Sequence, residues 1–175
     1  DHVVGRHHLA DRQLLVPRQN PVEDAVNIWR QDLVSGQGAF INPKGYDQRA
    51  VSRDGDYTTY IETRPDGYSR VQIQLDDDVL IDCGRPQHTQ WGVVAAPTWV
   101  AWFEQRVGAQ RARLVITQPG RCDESAQRRE RLLPNRPLAN SQLARAGDQL
   151  FWLERGPDGN NLVRVWQHRR QGAEP

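Results

Sequence analysis

Apolar positions along the chain follow two different periods. Val71, Ile73 and Leu75 alternate with Gln72 and Gln74, which predicts a strand with one buried and one wet face. "YTTYIE" at 57–62 precedes it, and Arg64-Pro65-Asp66-Gly67 lies between the two runs. Proline presets φ, aspartate bonds to the backbone ahead of it, and glycine takes the left-handed position, so the segment reads as a hairpin. The triplet Asp76-Asp77-Asp78 marks another turn, and "VLIDC" a third strand of the same meander. A second Pro-Asp-Gly at 157–159 sits between "QLFWLE" and "LVRVWQH" and predicts a second hairpin. The flanks match loosely as well, Asp56 to Glu62 against Asp148 to Glu154. The simplest reading is the same turn chemistry used twice, with duplication of a larger unit as the alternative. "WGVV" and "ARLVIT" add further strands.

The other period is helical. Val22, Ala25, Val26, Trp29 and Leu33 recur at three- and four-residue steps, after Asn20 as N-cap, Pro21 at the first helical position and Glu23 in capping-box spacing. This predicts a helix ended by Gly36. Trp99, Trp102, Phe103 and Val107 predict a second one ended by Gly108, and "CDESAQRRERLL" a short third one ended by Pro134. The expected fold is therefore α+β: an antiparallel sheet of hairpins and a meander, two to three short helices, and one disulfide. The chain divides into a leader over 1–19, a single domain over 20–168 and a flexible tail over 169–175. Polar loops are expected at 36–56 and 134–148.

Composition refines this picture at few points. The mean hydropathy of −0.78 is low, but six tryptophans and well-formed strand runs exclude a disordered chain. Lys44 is the single lysine, which excludes a P-loop and leaves one candidate for Schiff-base chemistry. The sequence holds no methionine and begins with Asp1, as expected after removal of a signal peptide or anchor. Cys83 and Cys122 stand in mirror-image contexts, "CGRP" and "PGRC", both at the ends of strand-like runs. An even pair in an exported chain is expected to form a disulfide, worth about 3–4 kcal/mol in the chain-entropy model. Together these features predict a periplasmic or otherwise extracytoplasmic location.

Catalytic patterns are sparse. There is no G-x-S-x-G, and no helical zinc pair among His2, His7, His8, His88 and His168. His88 lies five residues from Cys83, an alternative thiol site if that cysteine were free. Glu62 and Glu154 occupy equivalent hairpin positions and are the one candidate carboxylate pair. Asp54, Asp56, Asp76, Asp77, Asp78 and Asp82 could offer oxygens to calcium, yet such runs are ordinary turn chemistry and no EF-hand pattern is present. No cofactor or metal is expected.

Charge is polarised. Residues 1–105 carry net −5 and residues 106–175 net +6, which together give the chain's +1. An acidic face around Asp54, Asp56, Asp76, Asp77 and Asp78, with Trp152 as an aromatic anchor, is the expected partner-binding surface. Acidic residues interleave the arginine-rich half, so nucleic acid is not an expected partner. The leading expectation is a non-enzymatic periplasmic protein-binding protein, most concretely an immunity or inhibitor protein that neutralises an envelope-targeting toxin or enzyme. The alternatives are a small periplasmic hydrolase whose site forms only in three dimensions, and a subunit of a cell-envelope or secretion assembly.

Overall fold

The computed structural model describes residues 8–10, 12–75, 79–122, 124, 128–133 and 143–167. All regular structure among them is β. The first sheet holds β1 (His8–Ala10), β2 (Gln13–Asn20), β3 (Ala25–Asp32) and β4 (Gly38–Phe40). The second holds β5 (Asp47–Asp54), β6 (Tyr57–Thr63), β7 (Ser69–Leu75) and β8 (Val79–Asp82). The third holds β9 (His88–Ala96), β10 (Trp99–Arg106), β11 (Arg113–Thr117) and β12 (Arg129–Leu132). The fourth holds β13 (Ala144–Ala146), β14 (Gln149–Arg155) and β15 (Asn161–Gln167). Every sheet is an antiparallel meander in chain order. The first strands lie side by side from sheet to sheet, β1 against β5, β5 against β9 and β9 against β13. Four meanders packed face to face with their first strands innermost make four blades of a β-propeller-like fold.

Three apolar interfaces join the blades. Leu15, Ile28 and Ile41 of the first meet Val51 and Tyr60 of the second. Tyr57, Ile61, Val71 and Ile73 then meet Val93, Val100, Trp102 and Val115 of the third. The other face of that blade, with Trp99, Ala101, Phe103, Leu114 and Ile116, meets Leu150 and Trp152 of the fourth. An inner blade is thus buried on both sides.

That double burial corrects the expected α+β class. A strand covered on both faces loses its polar alternation and reads as a continuous apolar run. In β10 all of Trp99, Val100, Ala101, Trp102 and Phe103 are buried, and the same residues fall at helical spacing by coincidence. The helix expected after Asn20 is likewise absent. Asn20 does use its side chain as a cap would, accepting from the Val22 amide at 3.0 Å, but the result is a tight turn into β3, with Asp24 left-handed at φ 50°. Of the third expected helix, Arg129–Leu132 is strand β12, and residues 123 and 125–127 lie outside the described residues. Nor does Asn20 begin the fold: within the stretch read as a leader, β2 carries fully buried Leu15. The expected loop over 36–56 contains β4 and β5.

Both Pro-Asp-Gly segments are turns of one geometry. Gly67 donates to the Arg64 carbonyl at 2.9 Å with φ 79°, and Gly159 to the Gly156 carbonyl at 3.0 Å with φ 77°. Each closes the second and third strands of its blade, a type I turn followed by a left-handed glycine. The resemblance extends further than the turn. Gln48 of β5 stands opposite Glu62 of β6, and Gln90 of β9 opposite Glu104 of β10. Gln48 Oε1 accepts from Ile28 N at 3.1 Å and its Nε2 donates to the Asn42 carbonyl at 2.9 Å. Gln90 repeats this, accepting from Val71 N at 2.7 Å and donating to the Cys83 carbonyl at 2.9 Å. In both cases a fully buried amide on an innermost strand clamps the third strand and the exit segment of the preceding blade.

Candidate functional site: the axial cleft

Because the innermost strands have no neighbour of their own sheet on the axial side, their edges line a cleft of about 300 Å³. Its walls come from Ala50, Val51 and Ser52 of β5, Val93, Val94 and Ala95 of β9, and Ala144 of β13. β5 is bulged there, with a register shift between Arg49 and Ser52 and Ala50 at φ 53°. A left-handed alanine costs of order 1–3 kcal/mol and persists only where surrounding packing enforces it.

Polar groups gather at the rim. Arg145 of β13 reaches Asp54 at the end of β5 in an ion pair of 2.5 Å, both side chains largely buried. His8 of β1 completes the rim, and partial burial holds its pKa below the ordinary imidazole value, with the nearby Arg145 guanidinium acting in the same direction. Its ring is accordingly neutral near pH 7. Ser52 is buried, and its Oγ accepts from the Ala95 amide at 3.0 Å, so the hydroxyl joins β5 to β9. The cleft thus offers apolar walls, strand edges, a neutral imidazole and a neutralised charge pair. Such a set suits docking of an extended segment.

Cys83 and Cys122 are joined, with Cα atoms 5.4 Å apart, and pack in the interface between the second and third blades. The bridge removes the thiol needed by a Cys83–His88 site, and His88 Nδ1 instead lies 2.8 Å from the Pro86 carbonyl oxygen. Glu62 and Glu154 do occupy equivalent places on β6 and β14, both fully buried, but in different blades. Glu62 accepts from Arg64 Nε at 2.8 Å; Glu154 accepts from Trp152 Nε1 at 2.9 Å and Arg164 Nε at 3.0 Å. Each carboxylate is closed off by its own arginine rather than facing the other. Among the described residues no group of three or more His, Cys, Asp or Glu is placed to hold a metal ion.

Of the expected acidic face, Asp54 and Asp56 lie among the described residues. Asp54 is spent on Arg145, and Asp82 pairs with Arg64 at 2.6 Å. Asp56 is exposed in the turn after β5, while Asp76, Asp77 and Asp78 lie outside the described residues. Trp152 is 5% exposed and meets Phe103 edge-on at 6.2 Å, so its ring belongs to the core.

The strongest buried electrostatic feature was not anticipated. Glu104, 1% exposed, accepts two bonds from Arg128 at 2.6 and 2.7 Å and one from Gln90 Nε2 at 2.7 Å. Arg128 lies over the Trp102 ring at 5.3 Å and also reaches Glu130 at 2.8 Å, which Arg113 binds from outside at 2.6 Å. Burial raises the Glu130 pKa, but the arginines around it prevail and hold it below its ordinary value. A sequence signal did exist: an aromatic, an apolar residue and a glutamate recur as Tyr60-Ile61-Glu62, Trp102-Phe103-Glu104 and Trp152-Leu153-Glu154.

No protein-family model matches the chain, and no curated protein matches it. Solved structures do. TolB from Acinetobacter baumannii superposes with a TM-score of 0.69 at 11% identity, over 94% of this chain and 41% of that one. A puromycin hydrolase gives 0.63 at 14% identity, over 95% and 30%. An oligogalacturonate lyase in complex with manganese gives 0.55 at 10% identity, over 89% and 46%. The chain spans less than half the length of each of these proteins. At such identities the likeness is one of fold, shared by proteins of dissimilar activity, and the fold of this chain is β-propeller-like.

Proposed function

We propose that the chain is an extracytoplasmic, non-catalytic binding module that engages a protein partner at its axial cleft. The observation that carries this reading is the cleft itself, where strand edges and apolar side chains surround polar groups already committed to one another. Strand edges recognise extended backbone, and apolar walls take alternate side chains. The disulfide between blades supports an oxidising compartment, because such bridges persist there and are rare in the cytosol. In its narrowest form the partner is an envelope-targeting toxin or enzyme that the chain neutralises.

Ala144 is exposed at the cleft wall, so Ala144→Trp fills the space without disturbing the core. Immobilised wild-type chain should retain a stoichiometric protein from an envelope extract, and Ala144→Trp should lose it. Equal retention by the variant, or no retained protein at all, defeats the reading. The narrow form further requires that the purified chain inhibit the partner's activity at a one-to-one ratio.

A further inference from the structure

Equivalent charges of the second and third blades are paired differently. Glu62 and Glu104 correspond, so Arg64 and Arg106, two residues further on, correspond as well. The carbonyl of each closes its turn, accepting from Gly67 N at 2.9 Å and from Ala109 N at 3.0 Å. Register also matches Asp82, opposite Gln72 in the second blade, with Glu130, opposite Val115 in the third. In the second blade Arg64 takes both acids, Glu62 at 2.8 Å and Asp82 at 2.6 Å. In the third blade both acids are held by other arginines. Arg128 holds Glu104 at 2.6 Å, and Arg85, Arg113 and Arg128 hold Glu130 at 3.0, 2.6 and 2.8 Å. Arg106 is left exposed, with no ion-pair partner among the described residues.

That guanidinium lines a pocket of about 400 Å³ at the end of the blade where β10 turns into β11. Arg106 is in register with His88, and Arg113 with both Glu104 and Leu132, so a row across four strands forms the wall. The turn adds Arg111, which is also exposed and has no ion-pair partner among the described residues. Two bonds hold this turn in place: Val107 N donates to the Gln87 carbonyl at 2.8 Å, and Gln105 Nε2 to the Ala109 carbonyl at 2.5 Å. His88 Nδ1 faces the Pro86 carbonyl, which can only accept, so Nδ1 carries the proton there and Nε2 is left for a ligand. Around the pocket Arg85, Arg106, Arg111, Arg113 and Arg128 stand against Glu104 and Glu130, five positive charges to two negative.

We propose that this pocket binds a phosphate group, as the free ion or at the end of a small monoester. Guanidinium forks meet tetrahedral oxyanions two bonds at a time. A dianion offsets most of the surplus of three charges, while Glu104 and Glu130 stay with the arginines that already hold them. The pocket shares no residue with the axial cleft, so the assignment stands apart from the partner-binding reading.

Calorimetric titration with inorganic phosphate and, separately, with glycerol phosphate, at constant low ionic strength, tests the assignment. Wild type should bind at a single site per chain, and the tighter of the two ligands identifies the source of the phosphate group. The double variant Arg106→Gln and Arg111→Gln should bind about tenfold or more weakly, since bonds to charged groups are lost. Its far-ultraviolet circular dichroism should be unchanged, because both side chains are exposed. Arg49→Gln removes an exposed charge from the second blade instead and should bind as wild type does. Absence of saturable binding with both ligands overturns the proposal. Equal weakening by Arg49→Gln and by the double variant also overturns it, in favour of attraction to overall charge alone.

Discussion

Glu104 and Arg128 allow a quantitative test of how the third blade is held together. Their side chains are 1% and 2% exposed, and two bonds of 2.6 and 2.7 Å join them. Replacing Glu104 by Gln takes from the guanidinium its fully buried counter-charge and leaves only the part-exposed Glu130, 2.8 Å from Arg128 Nε; breaking a buried pair costs about 3–5 kcal/mol. At about 2–4 °C per kcal/mol for a chain of this size, the melting temperature should fall by roughly 6–20 °C. Arg128→Met should do comparable damage by stranding the carboxylate, which would keep only Gln90 at 2.7 Å and Arg85 at 3.5 Å. The double variant Glu104→Gln with Arg128→Met removes both charges together. It should recover much of the loss, since an ion pair replaced by apolar or neutral groups is often close to neutral in stability. Urea denaturation of all four proteins gives the coupling energy directly, provided the slopes agree. If Glu104→Gln costs less than about 1 kcal/mol, or if the double loss equals the sum of the single losses, the pair is not the buried and coupled unit described here.

Other outcomes follow from the same geometry. Replacing Cys83 and Cys122 by Ala opens a closure across 39 residues, for which the chain-entropy model gives about 4 kcal/mol, and denaturation of oxidised wild type against the variant should show a loss of that order. Gln90→Leu strands the Val71 amide and the Cys83 carbonyl at about 1–3 kcal/mol each, and Gln48→Leu should behave alike at Ile28 and Asn42. Amide exchange at Val71 and Ile28 locates the two effects. His8 has a folded pKa below its unfolded value of 6.5, so the folded state binds fewer protons there. Its contribution is present above pH 6.5 and is lost as pH falls toward the lowered folded value. His8→Gln should flatten the decline in melting temperature below pH 6.5, leaving only the slope from other groups.

Local chemistry was legible wherever one or two residues dictate a conformation. Both Pro-Asp-Gly turns, the strands around them and the Cys83–Cys122 bridge could be read from neighbours in sequence. The blades could not, because their signature lies in three-dimensional enclosure. β10 is buried on both sides, and in β3 the four consecutive residues Ala25 to Ile28 are all buried, so Val26 and Ile28, or Trp99, Trp102 and Phe103, carry no period of two, and three- and four-residue spacings arise by chance. The buried polar residues were equally misleading. Gln48, Gln72 and Gln90 look like solvent-facing positions, yet all three are fully enclosed, and two of them serve as clamps between blades. The repeat was visible in part: Glu62 and Glu154 were matched, but Glu104 was hidden within an apparent helix. The axial cleft had no local signal at all, since it brings together short pieces of four strands distant in sequence, β1, β5, β9 and β13.

The covalent bridge joins only the second and third blades. A pull on the two ends of the chain would meet it last. The first and fourth blades, held by noncovalent seams alone, should peel away in separate steps, leaving a linked central pair that shortens the final extension by the length of chain behind the sulfurs. Under reducing conditions that protected kernel disappears, so the same molecule has two mechanical personalities set by the redox state of its surroundings.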